Sequence, residues 1–278
     1  VRAVVYTEFG ELDVLHVGEV EEVHAGPGQV RIGVRAAGVN PFDWKVVTGL
    51  MARGERPAGP TVPGVEAAGV VDEVGEGVHG VQAGDPVFGL GGATAAEHAV
   101  LRAWVPKPPE VSFEVAAGLA VAGETAVRVL DLLGLPPGRT VVVDGASGGV
   151  GTATVQVAVS RGLGVIGTSS ATNADFVRSL GALPTTYGEG LVERVREIAP
   201  DGVDGAVDTA GRGSVRDLVA LTGDPGRAGG QPLLDEGPRV AGQPVGVRTG
   251  DDDLAALDAV HLPIVGCVPG GARGRARP

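Results

Sequence analysis

The chain has 278 residues, a formal net charge of −12 and 43% apolar residues. That length and apolar content suit two ordinary domains with ample core and exclude a disordered chain, while the diffuse negative charge disfavours nucleic acid or an anionic membrane as the main partner. A single cysteine, Cys267, excludes an internal disulfide and a cysteine-rich zinc site; with no membrane-length apolar run and no signal-peptide pattern, a cytoplasmic protein is expected.

To about Gly118 the chain reads as β-rich. Val30-Arg31-Ile32-Gly33-Val34 alternates with period two, and Val70-Val71-Asp72-Glu73-Val74 resembles a second short strand. Turn signals recur at Gly26-Pro27-Gly28, Pro63-Gly64, Gly75-Glu76-Gly77 and Gly84-Asp85-Pro86. Short strands at this spacing predict a compact barrel or rolled sheet. From Ala116 the period lengthens: one helical run is predicted to Leu133, ending at Gly134 before Pro136-Pro137-Gly138. Beyond it, strands are predicted over 140–144, 163–168, 184–187 and 203–208, alternating with helices over 149–161, 172–180, 190–199 and 213–221. Such alternation predicts a parallel sheet with helices on both faces and a ligand crevice at the carboxyl ends of its strands. After Leu218–Thr222 the chain enters Gly223–Gly230 with no clear next strand.

The most informative stretch is Val141–Asp144 followed by Gly145-Ala146-Ser147-Gly148-Gly149-Val150-Gly151 and a small-residue helix start. Glycines at 145, 148 and 151 allow a tight turn, close approach of backbone N–H groups to an anion, and close packing of helix on strand. A dinucleotide pyrophosphate is expected there. The second predicted strand ends in Gly167-Thr168-Ser169-Ser170, with Asn173 three residues on. An NAD-preferring site usually carries Asp or Glu at this point for the ribose hydroxyls, so its absence favours NADPH. Ser169, Ser170, Asn173 and Tyr187 can donate hydrogen bonds but bring no positive charge. His16, His24, His79, His98 and His261 lack metal-ligand spacing and read as surface or loop histidines, so no metal site is expected.

Several segments taken together carry a resemblance. Arg2-Ala3-Val4-Val5, Gly38-Val39-Asn40-Pro41-Phe42-Asp43-Trp44-Lys45, Pro63–Val71 and Gly84–Gly89 resemble landmarks of the catalytic domain of zinc-independent medium-chain dehydrogenase/reductases of the quinone oxidoreductase, zeta-crystallin-like, type. Gly123-Glu124-Thr125-Ala126 and Ala146–Gly151 with Gln156 resemble that family's cofactor-domain landmarks. The resemblance implies an α/β protein: a GroES-like β-rich catalytic domain over 1–118, a Rossmann doubly wound parallel sheet over 119–250, and a shortened return segment over 251–278, with the active site in the cleft between the domains. It implies NADPH as cofactor, with hydride passing to a small-molecule quinone or enone, and a homodimer is compatible with it. Zinc-dependent relatives place a cysteine near Pro41–Asp43 and a His-Glu pair where this chain has Val65-Glu66.

Site residues follow from the same resemblance. Asn40 would line the nicotinamide and substrate cleft as an amide donor; its alternative is an Asx-turn before Pro41. Asp43 and Lys45 are expected to be a solvated pair. Thr125 would lie near the nicotinamide; its alternative is a helix-interior threonine bonding back to a carbonyl. Gly145, Ala146, Ser147, Gly148, Gly149, Val150, Gly151, Thr168, Ser169, Ser170, Asn173, Tyr187, Thr209 and Ala210 would contact the cofactor. Relatives often carry lysine where Asn173 stands, and for Asp208-Thr209-Ala210-Gly211 an ordinary strand-to-helix loop is the competing reading. The family's later landmarks occur only in compressed form: Gly246–Gly250, Asp253–Val260 and Leu262–Val265. A disturbed reading frame or a deletion is favoured over a divergent tail, with 226–245 and 266–278 expected to be poorly packed. Two other functions stay open: a non-catalytic NADPH-binding or interaction protein derived from this fold, and a polyketide-pathway enoyl reductase.

Overall fold

A computed structural model describes residues 1–52, 54 and 56–230. The predicted features at 246–265, the tail over 266–278, His261 and Cys267 lie outside the described residues.

The N-terminal hairpin pairs β1 (Arg2–Val5) with β2 (His16–Glu19). Four strands then close a barrel: β3 (Val30–Ala37), β4 (Glu66–Val74), β5 (Pro86–Gly92) and β6 (His98–Pro106). Period-two alternation turns Val30, Ile32, Ala67, Val71, Val87, Ala99 and Leu101 into one buried cluster. Between β3 and β4 lies the helix α1 (Pro41–Val47), which begins at Pro41 directly after its N-cap, Asn40.

The predicted helical run from Ala116 to Leu133 is corrected by the structure. It divides into α2 (Phe113–Ala116) and α3 (Ala120–Leu133). The break has a packing cause. The loop before α1 passes so close that a Cβ on Gly38 would strike the Ala117 carbonyl oxygen. Restarting the helix at Ala120 also gives Val121 a first-turn N–H with no intrahelical acceptor. As predicted, α3 ends at Gly134, which takes a left-handed φ of 59°.

The second half is the predicted alternation: β7 (Thr140–Asp144), α4 (Gly149–Ser160), β8 (Gly164–Ser169), α5 (Ala174–Ser179), β9 (Leu183–Thr186), α6 (Leu191–Ile198), β10 (Gly205–Asp208) and α7 (Val215–Thr222). A further strand, β11 (Ala228–Gly230), pairs in parallel with β10. It corrects the expectation of no clear strand after Thr222; of the stretch 226–245 expected to be poorly packed, Gly226 and Arg227 are exposed and 231–245 lie outside the described residues. The alanine and glycines of β11 carry no strand signal of their own, so backbone pairing decides the conformation. The all-parallel order is β11-β10-β7-β8-β9. On one face Val141, Val143, Val165 and Val207 pack against α3, α4 and α5; on the other Val142, Ile166 and Ala206 pack against Leu191, Val195 and Leu218. The direction of build-up reverses between β7 and β10, so the switch point lies at the carboxyl end of β7.

Candidate functional site

At that switch point β7 delivers Asp144, and the chain turns through Gly145 at φ 80°, a conformation glycine adopts without strain. A Cβ there would lie 3.0 Å from Ala210 Cβ and from Thr209 Oγ1. A Cβ on Gly151 would collide with Gly145 O and come within 2.8 Å of its carbonyl carbon. Gly148 and Gly149 differ: both are exposed, and a Cβ on Gly149 would meet nothing within 4 Å. Gly148 caps α4, whose first-turn N–H groups at Gly149, Val150 and Gly151 precede any intrahelical acceptor. The turn therefore combines an open face, free donors and the positive end of a helix dipole.

Beneath that face lies a buried lock. Gly145 N–H donates to Thr168 Oγ1 at 2.9 Å, and Thr168 Oγ1–H donates to Asp144 Oδ1. Ser214 Oγ–H, at the start of α7, donates to Asp144 Oδ2 at 2.5 Å. Thr209 ties in the next strand by donating Oγ1–H to Asp144 O at 2.6 Å. Ala146 is buried, with its N–H on Thr168 O at 2.9 Å. Asp208 Oδ1 accepts from the N–H groups of Ala210 (2.9 Å) and Gly211 (2.7 Å), fixing the adjoining loop. Thr168 and Thr209 thus direct their hydroxyl protons into the scaffold of the turn.

The outer residues bring hydroxyls and amides. Asn173 Nδ2 donates to Ser147 Oγ at 3.2 Å and bridges the turn to the segment after β8. Ser169 is buried and donates to Ser170 O at 3.0 Å, while Ser170 Oγ lies 2.8 Å from Thr172 Oγ1. Tyr187 is exposed beyond β9 and joins none of these bonds.

Asn40 and Thr125 belong to a second group, built around Glu66. Glu66 opens β4 and is 1% exposed, yet it is hydrogen-bonded at both oxygens. Asn40 Nδ2 donates to Oε1 at 2.7 Å, and Val121 N–H donates to Oε2 at 2.8 Å. Burial pushes the Glu66 carboxyl above the usual range, opposed first by the Val121 N–H and then by the Asn40 amide. Asp43 is a correction to the expected solvated pair with Lys45: it is buried and accepts the Asn40 N–H at 2.7 Å, so it fastens the start of α1. Burial raises its carboxyl too, against the N–H groups of Asn40 and Gly64. Asn40 Nδ2 points to Glu66 while its side-chain oxygen faces the Asp43 N–H in a capping box, so the local role at the start of α1 stands beside the bond to Glu66. Thr125 is buried one turn after Val121, and its hydroxyl makes no hydrogen bond among the described residues, so it does not bond back to a carbonyl. Val39 and Phe42, on either side of Asn40, are exposed and apolar.

The sequence reading missed the roles of Asp144, Ser214, Asp208 and Glu66. For Asp144 and Asp208 the available signal was a carboxylate at the end of an apolar strand, where only hydrogen-bond partners make its burial tolerable. No group of three or more His, Cys, Asp or Glu side chains is placed to hold a metal among the described residues. Another pocket of about 340 Å³ is lined by Tyr6, Phe9, Val46, Met51, Pro57 and Thr61, none of which belongs to either group. Burial raises the Tyr6 phenol there. No described helix is long and apolar enough to cross a membrane.

A barrel joined to a parallel sheet with a glycine turn at its switch point is matched by known proteins. Residues 26–109 match the alcohol dehydrogenase GroES-like domain, and residues 149–229 match the zinc-binding dehydrogenase family. A mycobacterial quinone oxidoreductase structure aligns with TM-score 0.70 and 31% identity, covering 79% of this chain and 70% of that one. The chain belongs to the quinone oxidoreductase type of the medium-chain dehydrogenase/reductases. A second mycobacterial structure, complexed with NADPH, aligns with TM-score 0.72 and 31% identity over 80% of this chain and 70% of that one. The 2-methylene-furan-3-one reductase of Solanum lycopersicum is 35% identical over 227 residues, 75% of this chain. The chain spans 56% of that reductase's length. Family and fold agree with the GroES-like and Rossmann expectation.

Proposed function

We propose that the protein is an NADPH-dependent reductase that transfers hydride to a quinone or an α,β-unsaturated carbonyl without zinc. The observation that carries this reading is the glycine turn, whose outer face at Gly148 and Gly149 is open while its inner face is locked by Asp144, Thr168 and Thr209. The residues fit the cofactor. Main-chain N–H groups of Gly149, Val150 and Gly151 would hold the pyrophosphate. Ser147, Ser170 and Asn173 would face the adenosine ribose, where no carboxylate end of β8 repels a 2′-phosphate. When bound, NADPH supplies the hydride from its dihydronicotinamide.

The chain's own residues then orient the acceptor and carry charge. The Asn40 amide and the Thr125 hydroxyl are the donors assigned to the acceptor's developing oxyanion. Exposed Val39 and Phe42 offer apolar surface suited to a flat conjugated acceptor. The zinc-free part rests on residue types: Pro41, Phe42 and Asp43 include no thiol, and Val65 offers no donor where zinc-dependent relatives have histidine. Support for NADPH and for this substrate class also comes from the NADPH-complexed mycobacterial structure and the furanone reductase.

The deciding experiment pairs NADPH binding by fluorescence with NADPH oxidation against a panel of quinones, enones and enoyl thioesters. Turnover by metal-free protein, unchanged by added zinc, is expected. Binding without turnover on any acceptor would overturn the reductase reading and leave a cofactor-binding protein.

A further inference from the structure

The Asn40–Glu66–Val121 chain of hydrogen bonds ties three separate parts of the fold to one carboxylate. Gly38 shows how closely it is held: a Cβ there would lie 2.5 Å from Glu66 Cγ, and the Gly38 N–H donates to Glu66 O at 3.1 Å. A carboxylate only accepts, so it selects the nitrogen end of the Asn40 carboxamide. One Nδ2 hydrogen is taken by Glu66 and the side-chain oxygen faces the Asp43 N–H in a capping box, so the second Nδ2 hydrogen is left for the cleft. The other oxygen holds the first turn of α3, and Thr125 follows Val121 by four residues on the same helical face. Glu66 itself is sealed from solvent and cannot reach a substrate.

We propose that Glu66 is a positioning residue: it fixes which edge of the Asn40 carboxamide faces the acceptor and sets Thr125 in register with it. The proposal rests on the reductase reading for its catalytic consequence, but its geometric content does not. The pair is isolated enough to be read directly, because Asn40 and Asn173 are the chain's two asparagines. In the Glu66→Gln variant, the Val121 N–H still requires an acceptor and keeps the glutamine oxygen. The glutamine NH₂ then confronts Asn40, and the Asn40 carboxamide must turn over to present Oδ1.

The test uses the full chain labelled with ¹⁵N-asparagine, which yields two side-chain NH₂ groups, Asn40's being identified by its loss in Asn40→Ala. In the wild type the two Asn40 hydrogens are expected well separated, the one on Glu66 being shifted downfield. In E66Q that separation collapses while the Asn173 pair is unmoved. For turnover, E66Q is expected to lower kcat by about 10- to 100-fold, the scale of a misplaced reacting group, with NADPH affinity held within about 3-fold. Added to N40A, E66Q should cost less than about 2-fold, because the group through which it acts is gone. Unchanged Asn40 signals in E66Q, or an equal kcat loss in both backgrounds, would overturn the proposal. If wild-type protein turns over no acceptor, the reductase reading fails while the spectra still decide the role of Glu66. Should E66Q not fold, Glu66→Asp, with its carboxylate withdrawn by one methylene, is read the same way: the downfield hydrogen must relax.

Discussion

Gly149→Ala separates the stability of the glycine turn from its use. Gly149 is the first residue of α4, it is exposed, and an added Cβ would meet nothing within 4 Å. In the free protein alanine therefore fits, and restricting the unfolded chain stabilises by about 0.4–1 kcal/mol. For a chain of this size that raises Tm by about 1–4 °C. With a phosphate against the first-turn N–H groups, the same methyl intrudes on the ligand. An overpacking cost of about 1–3 kcal/mol weakens NADPH by roughly 5- to 150-fold. Thermal unfolding of the free protein and NADPH titration by fluorescence read the two effects independently. A raised Tm with unchanged NADPH affinity would refute the assignment of the pyrophosphate to this face. Gly151→Ala is the control: its Cβ strikes Gly145 O, so stability and binding should fall together, with stability down by about 1–3 kcal/mol or more.

Thr168→Val keeps the shape of the side chain but strands the Gly145 N–H and one Asp144 oxygen. It should cost about 1–3 kcal/mol in urea unfolding and weaken NADPH, whereas no change would show the lock to be idle. Thr94 is fully buried, and its hydroxyl lacks a partner among the described residues, so Thr94→Val should stabilise by about 1 kcal/mol in the same assay. The raised Glu66 carboxyl has a definite sign: folded protein holds that proton longer than unfolded chain. Its contribution is fully present below the ordinary glutamate pKa and is lost as pH rises through the folded value. E66Q should therefore gain on wild type as pH rises above about 4, and a Tm difference flat in pH would contradict this.

The parallel sheet was legible because β7, β8 and β10 each carry an apolar run and each helix its own period. Thr140–Asp144 and Gly149–Ser160 fall within a residue of expectation. Ala228–Gly230 was not legible, since its residues favour no strand until β10 offers a free edge. The break at Ala117–Leu119 was hidden for a similar reason: Ala116 to Leu133 is locally helical, and only Gly38 and Glu66, distant in sequence, interrupt it. At the site, the glycine spacing announced a cradle for an anion. It said nothing of Asp144, whose meaning depends on hydroxyls 24 and 70 residues away.

Those separations bear on when the protein becomes able to hold its cofactor. The glycine turn is complete in the growing chain by Gly151 and Thr168 reaches it once β8 pairs with β7, but Thr209 and Ser214 close the lock only after the sheet has extended outward through β9 and returned to pair β10 with β7. Contacts of such range form late, because the loops they close must be ordered first. Cofactor competence is therefore a property of the assembled sheet and not of the motif. In refolding, NADPH fluorescence would report the arrival of β10, after helix formation has already restored most of the circular dichroism.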